Sequence, residues 1–238
     1  MFDNFKKIIV VGVGGTGSFL LPPLIRYLNS RTDVNSGIDI VLIDGDKYDV
    51  NNISRQEFAH SLLGKNKAEV QAAMYCKKFS ELSIYPVGDY LGKDNIDIIS
   101  EGSIVFCCVD NHFCRHLISD RCKELNNVLL ISGGNEEYDG NVQSYFKFEG
   151  KEYNSPIENR HPEIKEDTNG DRSVMSCEQL AQLPGGGQVI FANLFSATLM
   201  ACLFYSYVDG TTAPYQIDDI FFDAKQVKSV VVKNGRYQ

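Results

Sequence analysis

One short interval, IDGDKYDVNNISRQEF followed closely by LGKNKAE, holds most of the residues able to do chemistry. Asp44 and Asp46 place two carboxylates at the end of a strand-like run. Asn52, Arg55 and Gln56 follow in a polar loop, and Lys65 and Lys67 stand at the start of the next helix-like run. Arginine offers a planar fork of donors and lysine a point charge, the two usual partners of phosphate oxygens. Asp110, at the end of a later strand, adds another carboxylate, and with Asp46 it could hold Mg2+, which takes oxygen ligands. Each of these residues alone reads as a solvated loop charge. Their joint placement at strand ends and helix starts around one crevice gives them meaning.

Upstream, Gly12-Val13-Gly14-Gly15-Thr16-Gly17 directly follows the first strand run and opens the first helix. There a glycine permits the tight turn, another lets backbone approach a phosphate, and the helix start supplies N–H groups and a positive dipole end. The loop therefore indicates a nucleotide without choosing one. Asp44 could accept hydrogen bonds from a ribose, which suits NAD equally well. The cations decide. The pyrophosphate of a dinucleotide is already satisfied by backbone N–H groups. A triphosphate needs Arg55 and Lys67, because charge builds on the leaving pyrophosphate when a carboxylate attacks the α-phosphorus.

These residues require strands and helices to hold them. Residues 7–13, 38–43, 83–87, 103–109 and 128–131 are short apolar runs typical of strands buried on both faces. Residues 18–29, 65–79 and 111–124 have helical character, with Pro22 and Pro23 expected in the first turns of the first helix, where proline is tolerated. The expected fold is α/β: a Rossmann-like, mostly parallel sheet with flanking helices and a C-terminal antiparallel extension. The chain reads as a single domain over 1–238, with a nucleotide-binding core at 1–134. Residues 135–238 supply antiparallel strands, a polar aperiodic segment at 149–187 suited to a lid or crossing loop, a helix and a terminal hairpin. The apolar run 189–208, interrupted by Asn193, Ser196, Thr198 and Ser206, reads as a buried helix.

The 238 residues are 43% hydrophobic and 23% charged, with a net charge of −8, which argues against nonspecific nucleic-acid binding. No run is long and apolar enough to suggest a membrane span, and the N-terminus lacks a leader pattern, so a cytoplasmic setting is expected. The seven cysteines form no CxxC pair. Free thiols are expected rather than disulfides or a structural zinc site. His112 and His116, four apart on a helix, read as a surface face more readily than as metal ligands.

The combination GVGGTGS, IDGDKYDVNNISRQ, GKNKA and CCVDN resembles the ThiF/MoeB/HesA group and the adenylation domains of ubiquitin-activating enzymes. It covers roughly residues 7–145 and resumes more loosely at 188–235. The resemblance implies that Asp44 binds ribose, that Asn52, Arg55, Gln56 and Lys67 handle the triphosphate of ATP, and that Asp46 and Asp110 serve Mg2+. It implies ATP-dependent adenylation of the C-terminal carboxylate of a small ubiquitin-like or sulfur-carrier protein ending in Gly-Gly. It also implies a homodimer and leaves room for a conjugating enzyme downstream. The chain departs from the family pattern in lacking zinc-binding CxxC pairs, an N-terminal arginine and an appended carrier or rhodanese-like domain. Some relatives pass the acyl group to a cysteine. Cys177 in GDRSVMSCEQLAQ is the candidate here, with Arg172 near it, while the adjacent Glu178 works against a thiolate. The competing readings are an NAD(P)-dependent oxidoreductase, which leaves Arg55, Lys67 and Asp110 unexplained, and a non-catalytic subunit of a heterodimeric activating enzyme, which has no need of the full nucleotide set.

Overall fold

The computed structural model describes residues 4–31, 37–52, 56, 58–166, 189–209, 217–233 and 236–237. Five strands lie parallel: β1 (Lys7–Val11), β2 (Asp39–Ile43), β3 (Ser83–Val87), β4 (Ser103–Cys107) and β5 (Val128–Asn135). An antiparallel half continues the same sheet with β6 (Asp139–Phe148), β7 (Lys151–Glu152), β8 (Ile217–Asp223), β9 (Lys228–Lys233) and β10 (Arg236–Tyr237). The order is β3-β2-β1-β4-β5-β6-β8-β9-β10, with β7 paired to β6 off that path. The strand order reverses between β2-β1 and β4, so a crevice opens at the carboxyl ends of β1 and β4, where ligands bind in sheets of this kind. The expected α/β fold with an antiparallel extension is present.

Alternation along the strands splits the core in two. Ile8 and Val10 of β1, with Ile40 and Leu42 of β2, feed the layer beneath helices α1 (Gly15–Ser30), α2 (Lys67–Lys78) and α6 (Ile190–Asp209). Ile9, Val11, Val41 and Ile43 feed the opposite layer, under α3 (His112–Glu124), α4 (Ile157–Arg160) and α5 (Glu163–Glu166). Each such side chain contributes about 1.5–3 kcal/mol through burial.

Three details differ from the sequence reading. Helix α1 begins at Gly15, so Pro22 and Pro23 lie in its interior and remove two ladder donors there. Within residues 149–187, the described part is ordered: β7 pairs with β6, and α4 and α5 bury Ile157, Glu158 and Ile164 against α3. Helix α6 is long and apolar enough by length and composition alone to cross a bilayer, but 44% of its most apolar window is buried against the rest of the protein. It packs on α1, β5, β6 and β8. It is half-buried rather than buried: Phe191, Leu194, Thr198, Cys202 and Tyr205 form an exposed stripe along it with no charge until Asp209.

Candidate active site

The glycine loop joins β1 to α1 at the crevice. Gly12 has φ +85°, and a Cβ there would stand 2.9 Å from the Cys108 carbonyl oxygen. At Gly17 a Cβ would collide with the Gly12 carbonyl oxygen, and at Gly15 it would lie 2.8 Å from Asn193 Oδ1. Internal packing thus accounts for three of the four glycines. Gly14 is different: a Cβ would meet only Gln56 Nε2, at 3.5 Å. Gly14 is also the N-cap of α1 and makes no side-chain cap bond, so the first-turn N–H groups face the crevice without a capping side chain. That is a cradle with its positive dipole end open.

Asp44 holds this loop from β2. Its Oδ2 accepts from the Val13 N–H at 2.7 Å and its Oδ1 from the Asp46 N–H at 2.8 Å. Burial raises the Asp44 pKa above its ordinary value, with Lys67 and the two backbone donors pulling the other way without cancelling it. Lys67, the first residue of α2 and itself buried, reaches Asp46 Oδ2 at 3.2 Å. Asn66 sets that reach. Its Oδ1 caps α2 by accepting from the Glu69 N–H at 3.0 Å, and its Nδ2 donates to the Asp44 carbonyl at 2.8 Å. The Lys67 N–H donates to the Asp46 carbonyl at 2.9 Å, completing the link from β2 to α2. Tyr48 supports the intervening loop, accepting at its hydroxyl from Gln71 Nε2 at 2.7 Å.

Sequence spacing gave no sign of Tyr90. Its ring lies over Gly45, where a Cβ would meet it at 2.3 Å, and its hydroxyl donates to Asp46 Oδ1. Gln56 is brought to the loop beside Gly14, and its Oε1 is buried with no hydrogen-bond partner. Asn52 is fully buried and its Oδ1 accepts from the Asp49 N–H at 3.1 Å, which shapes the turn before Gln56. Arg55 and Cys177 lie outside the described residues.

The β4 side of the crevice is held by Arg115, a residue the helical periodicity of 111–124 does not single out. Its guanidinium is buried and donates to the Val109 carbonyl, to Ser132 Oγ at 2.6 Å and to the Gly133 carbonyl at 2.7 Å, tying the end of β4 to β5. Asp110, exposed just beyond Val109, starts the turn that Asn111 closes by capping α3 through the Cys114 N–H at 2.8 Å. On the α6 side, Asn193 Oδ1 accepts from Thr16 Oγ1 at 3.1 Å and from Asn135 Nδ2 at 3.1 Å. Its Nδ2 is buried without a partner, as is Ser196 Oγ. Leaving such a group unpartnered costs about 1–3 kcal/mol, so the Asn193 amide beside the glycine loop favours an acceptor there. The signal was available in the sequence: Asn193 and Ser196 are polar residues interrupting an apolar helix.

Among the described residues no group of three or more His, Cys, Asp or Glu is placed to hold a metal ion. Of the expected Asp46–Asp110 pair, Asp46 is engaged at Oδ2 by Lys67 and at Oδ1 by Tyr90, and Asp110 is exposed. His116 pairs with Asp120 at 3.4 Å, in keeping with its surface reading. Cys107, Cys114 and Cys122 are buried, and burial pushes the Cys114 thiol up to about 12 and those of Cys108 and Cys122 higher still. These are inert packing thiols.

The site therefore combines an open helix N-terminus, a lysine–aspartate pair and two unsatisfied amides around one glycine loop. The sequence profile of the ThiF family matches residues 4–228 of the chain. The chain belongs to the ThiF family. Among curated ThiF-like relatives, it is similar to a probable molybdopterin-synthase adenylyltransferase of Porphyra purpurea, 27% identical over 98% of this chain and 61% of that one. It is 33% identical, over 58% of its length and 30% of the other's, to an adenylyltransferase and sulfurtransferase UBA4 of Candida albicans. The ThiF-family chain thus spans less than two-thirds of these relatives. Its fold is that of E. coli MccB: the crystal structure with MccA-N7isoASN superposes with a TM-score of 0.68 at 21% identity over 99% of this chain and 67% of that one. The crystal structure of MccB with ATP gives 0.67 at 23% identity, over 99% and 66%.

Proposed function

We propose that this chain uses ATP to adenylate the C-terminal carboxylate of a small ubiquitin-like or sulfur-carrier protein ending in Gly-Gly. The observation that carries the reading is Lys67. A buried ammonium delivered to Asp44 and Asp46 beside an uncapped glycine loop supplies phosphate-pairing charge that a dinucleotide does not need. The names of the relatives support the same chemistry.

In this reading Asp44 offers its remaining lone pairs to the ribose, and the α1 N-terminus with Lys67 and Arg55 receives phosphate oxygens. The partner's carboxylate oxygen attacks the α-phosphorus. The bond to the bridging oxygen breaks, and pyrophosphate leaves with that electron pair, so no proton transfer is needed. Asn52 holds the turn that presents Gln56 to the crevice. Asp110 fits Mg2+ carried in on the triphosphate, since that ion commonly takes one or two carboxylates plus phosphate oxygens and water. It would screen phosphate charge there.

Cys177 is the candidate to carry the acyl group onward as a thioester. Cys177→Ala is expected to keep ATP–pyrophosphate exchange and lose any reducible conjugate with the partner, and a conjugate that persists excludes the assignment. The uncharged stripe on α6 suits a homodimer in a cytoplasmic setting. A conjugating enzyme would then take the product.

Thermal stabilisation tests the nucleotide. ATP with Mg2+ at a hundred times its Kd should add roughly 2.7 kcal/mol, and NAD should add nothing. Stabilisation by NAD and not ATP would replace this reading with an oxidoreductase.

A further inference from the structure

Asn193 is 1% exposed, in the first turn of α6, against the first turn of α1. Its oxygen accepts from Asn135 Nδ2 at 3.1 Å. Thr16 Oγ1 donates to the same oxygen at 3.1 Å. The Nδ2 group, with two hydrogens, is thereby turned away from both neighbours, and it is buried with nothing to donate to. A Cβ on Gly15 would lie 3.0 Å from that nitrogen, so the glycine at this position is what admits the amide over the helix start.

The first-turn N–H groups of α1 lack a side-chain cap, and the Asn193 oxygen is already used. An acceptor bearing negative charge is what the location calls for. A partner backbone carbonyl would satisfy one hydrogen but not the helix end, whereas a phosphate oxygen satisfies both.

We propose that Asn193 Nδ2 donates to a phosphate oxygen of the bound nucleotide, so that α6 contributes to the phosphate site. Thr16 and Asn135 are positioning residues that hold the amide the right way round. The inference rests on the ATP reading above and adds a ligand-contacting residue to it.

The test is Asn193→Asp. The substitution keeps an oxygen for Thr16 and Asn135 and replaces only the donor. Calorimetric affinities for ATP, ADP and adenosine are compared with wild type, alongside the melting temperature without nucleotide. ATP and ADP affinity is expected to fall at least about tenfold, the loss of one hydrogen bond to a charged group, with adenosine unchanged. Asn193→Ala, which adds no charge and retains the helix, should lose affinity in the same direction by a smaller factor, and it serves if the aspartate variant does not fold. Equal ATP affinity in wild type and variants overturns the proposal, as does an equal loss for adenosine and ATP, which would mark Asn193 as structural. Wild-type protein that binds adenosine and ATP equally, or binds neither, overturns the triphosphate reading itself, and this inference with it.

Discussion

Two clusters of charge sit on the two halves of the sheet and resemble each other in composition. On the parallel half, Asp44 and Asp46 meet Lys67. On the antiparallel half, Asp218 and Asp219 of β8 meet Arg160 and His161 at the end of α4. Arg160 Nε reaches Asp219 Oδ2 at 3.0 Å, and its other nitrogens donate to the carbonyls of Ser144, Ser155 and Asp218. His161 lies between Asp219 at 3.1 Å and Glu163 at 2.9 Å. The second cluster is closed: the arginine fork is taken up by fixed acceptors, and it fastens the 157–166 segment to the sheet. The first is open, with the Asp46 side chain 45% exposed and unmatched amide atoms nearby. Equal charges can thus serve as a fastener or as a receptor, and the difference is whether the partners are complete without a visitor.

Substitutions should separate the two roles. Asp219→Ala takes from the half-buried Arg160 the nearer of its two carboxylates and should cost about 3 kcal/mol of unfolding free energy in a denaturant titration, leaving ATP affinity unchanged. A stable variant, or one that loses ATP binding, would erase the contrast. Lys67→Met should do the reverse, lowering ATP affinity by about a hundredfold in calorimetry while chemical stability stays within about 1 kcal/mol of wild type. Tyr90→Phe keeps the ring over Gly45 but frees Asp46 Oδ1, so ATP affinity should change by less than about tenfold. A larger loss would make that hydroxyl part of the receptor. The smallest effect belongs to His161. Burial disfavours its charged form, but Asp219 and Glu163 outweigh that and hold its pKa above the ordinary 6.5. Its contribution is therefore fully present below about pH 6.5 and lost as pH rises through the higher folded value. The melting-temperature gap between wild type and His161→Gln should narrow from pH 6 to pH 8, and a constant gap would mean that the imidazole packs without titrating.

The parallel half was largely legible. Strands buried on both faces show as unbroken apolar runs, and β3 spans the residues that its run marks. The start of α1 was misplaced because glycines and prolines argue against helix locally, while the approach of Gly15 to Asn193 is a tertiary fact. Helices of four residues, such as α4 and α5, have no period to read, so their order within 149–166 was invisible. The exposed stripe on α6 was hidden for another reason: both faces are apolar, and no charge tells inside from outside. At the site, Asp44, Asp46, Gln56 and Lys67 were legible because they cluster in one interval. Tyr90 reaches Asp46 from 44 positions away and Asn193 reaches Thr16 from 177 positions away. No spacing rule joins such pairs.

The seam between β6 and β8 has a bearing on how the chain acquires its shape. Paired residues across it, such as Asp139 and Asp223, come from distant parts of the chain, as do Lys7 and Ser103 of β1 and β4. Contacts closed across so long a separation bring their entropy loss forward before any reward, which slows their formation. β1 and β4 lie inside the sheet, with β4 buried throughout, whereas β8, β9 and β10 end it and β9 is largely unburied, so that end opens at the least cost. In hydrogen exchange under native conditions, the amides of β8 and β9 should exchange through openings that leave β1 and β4 protected.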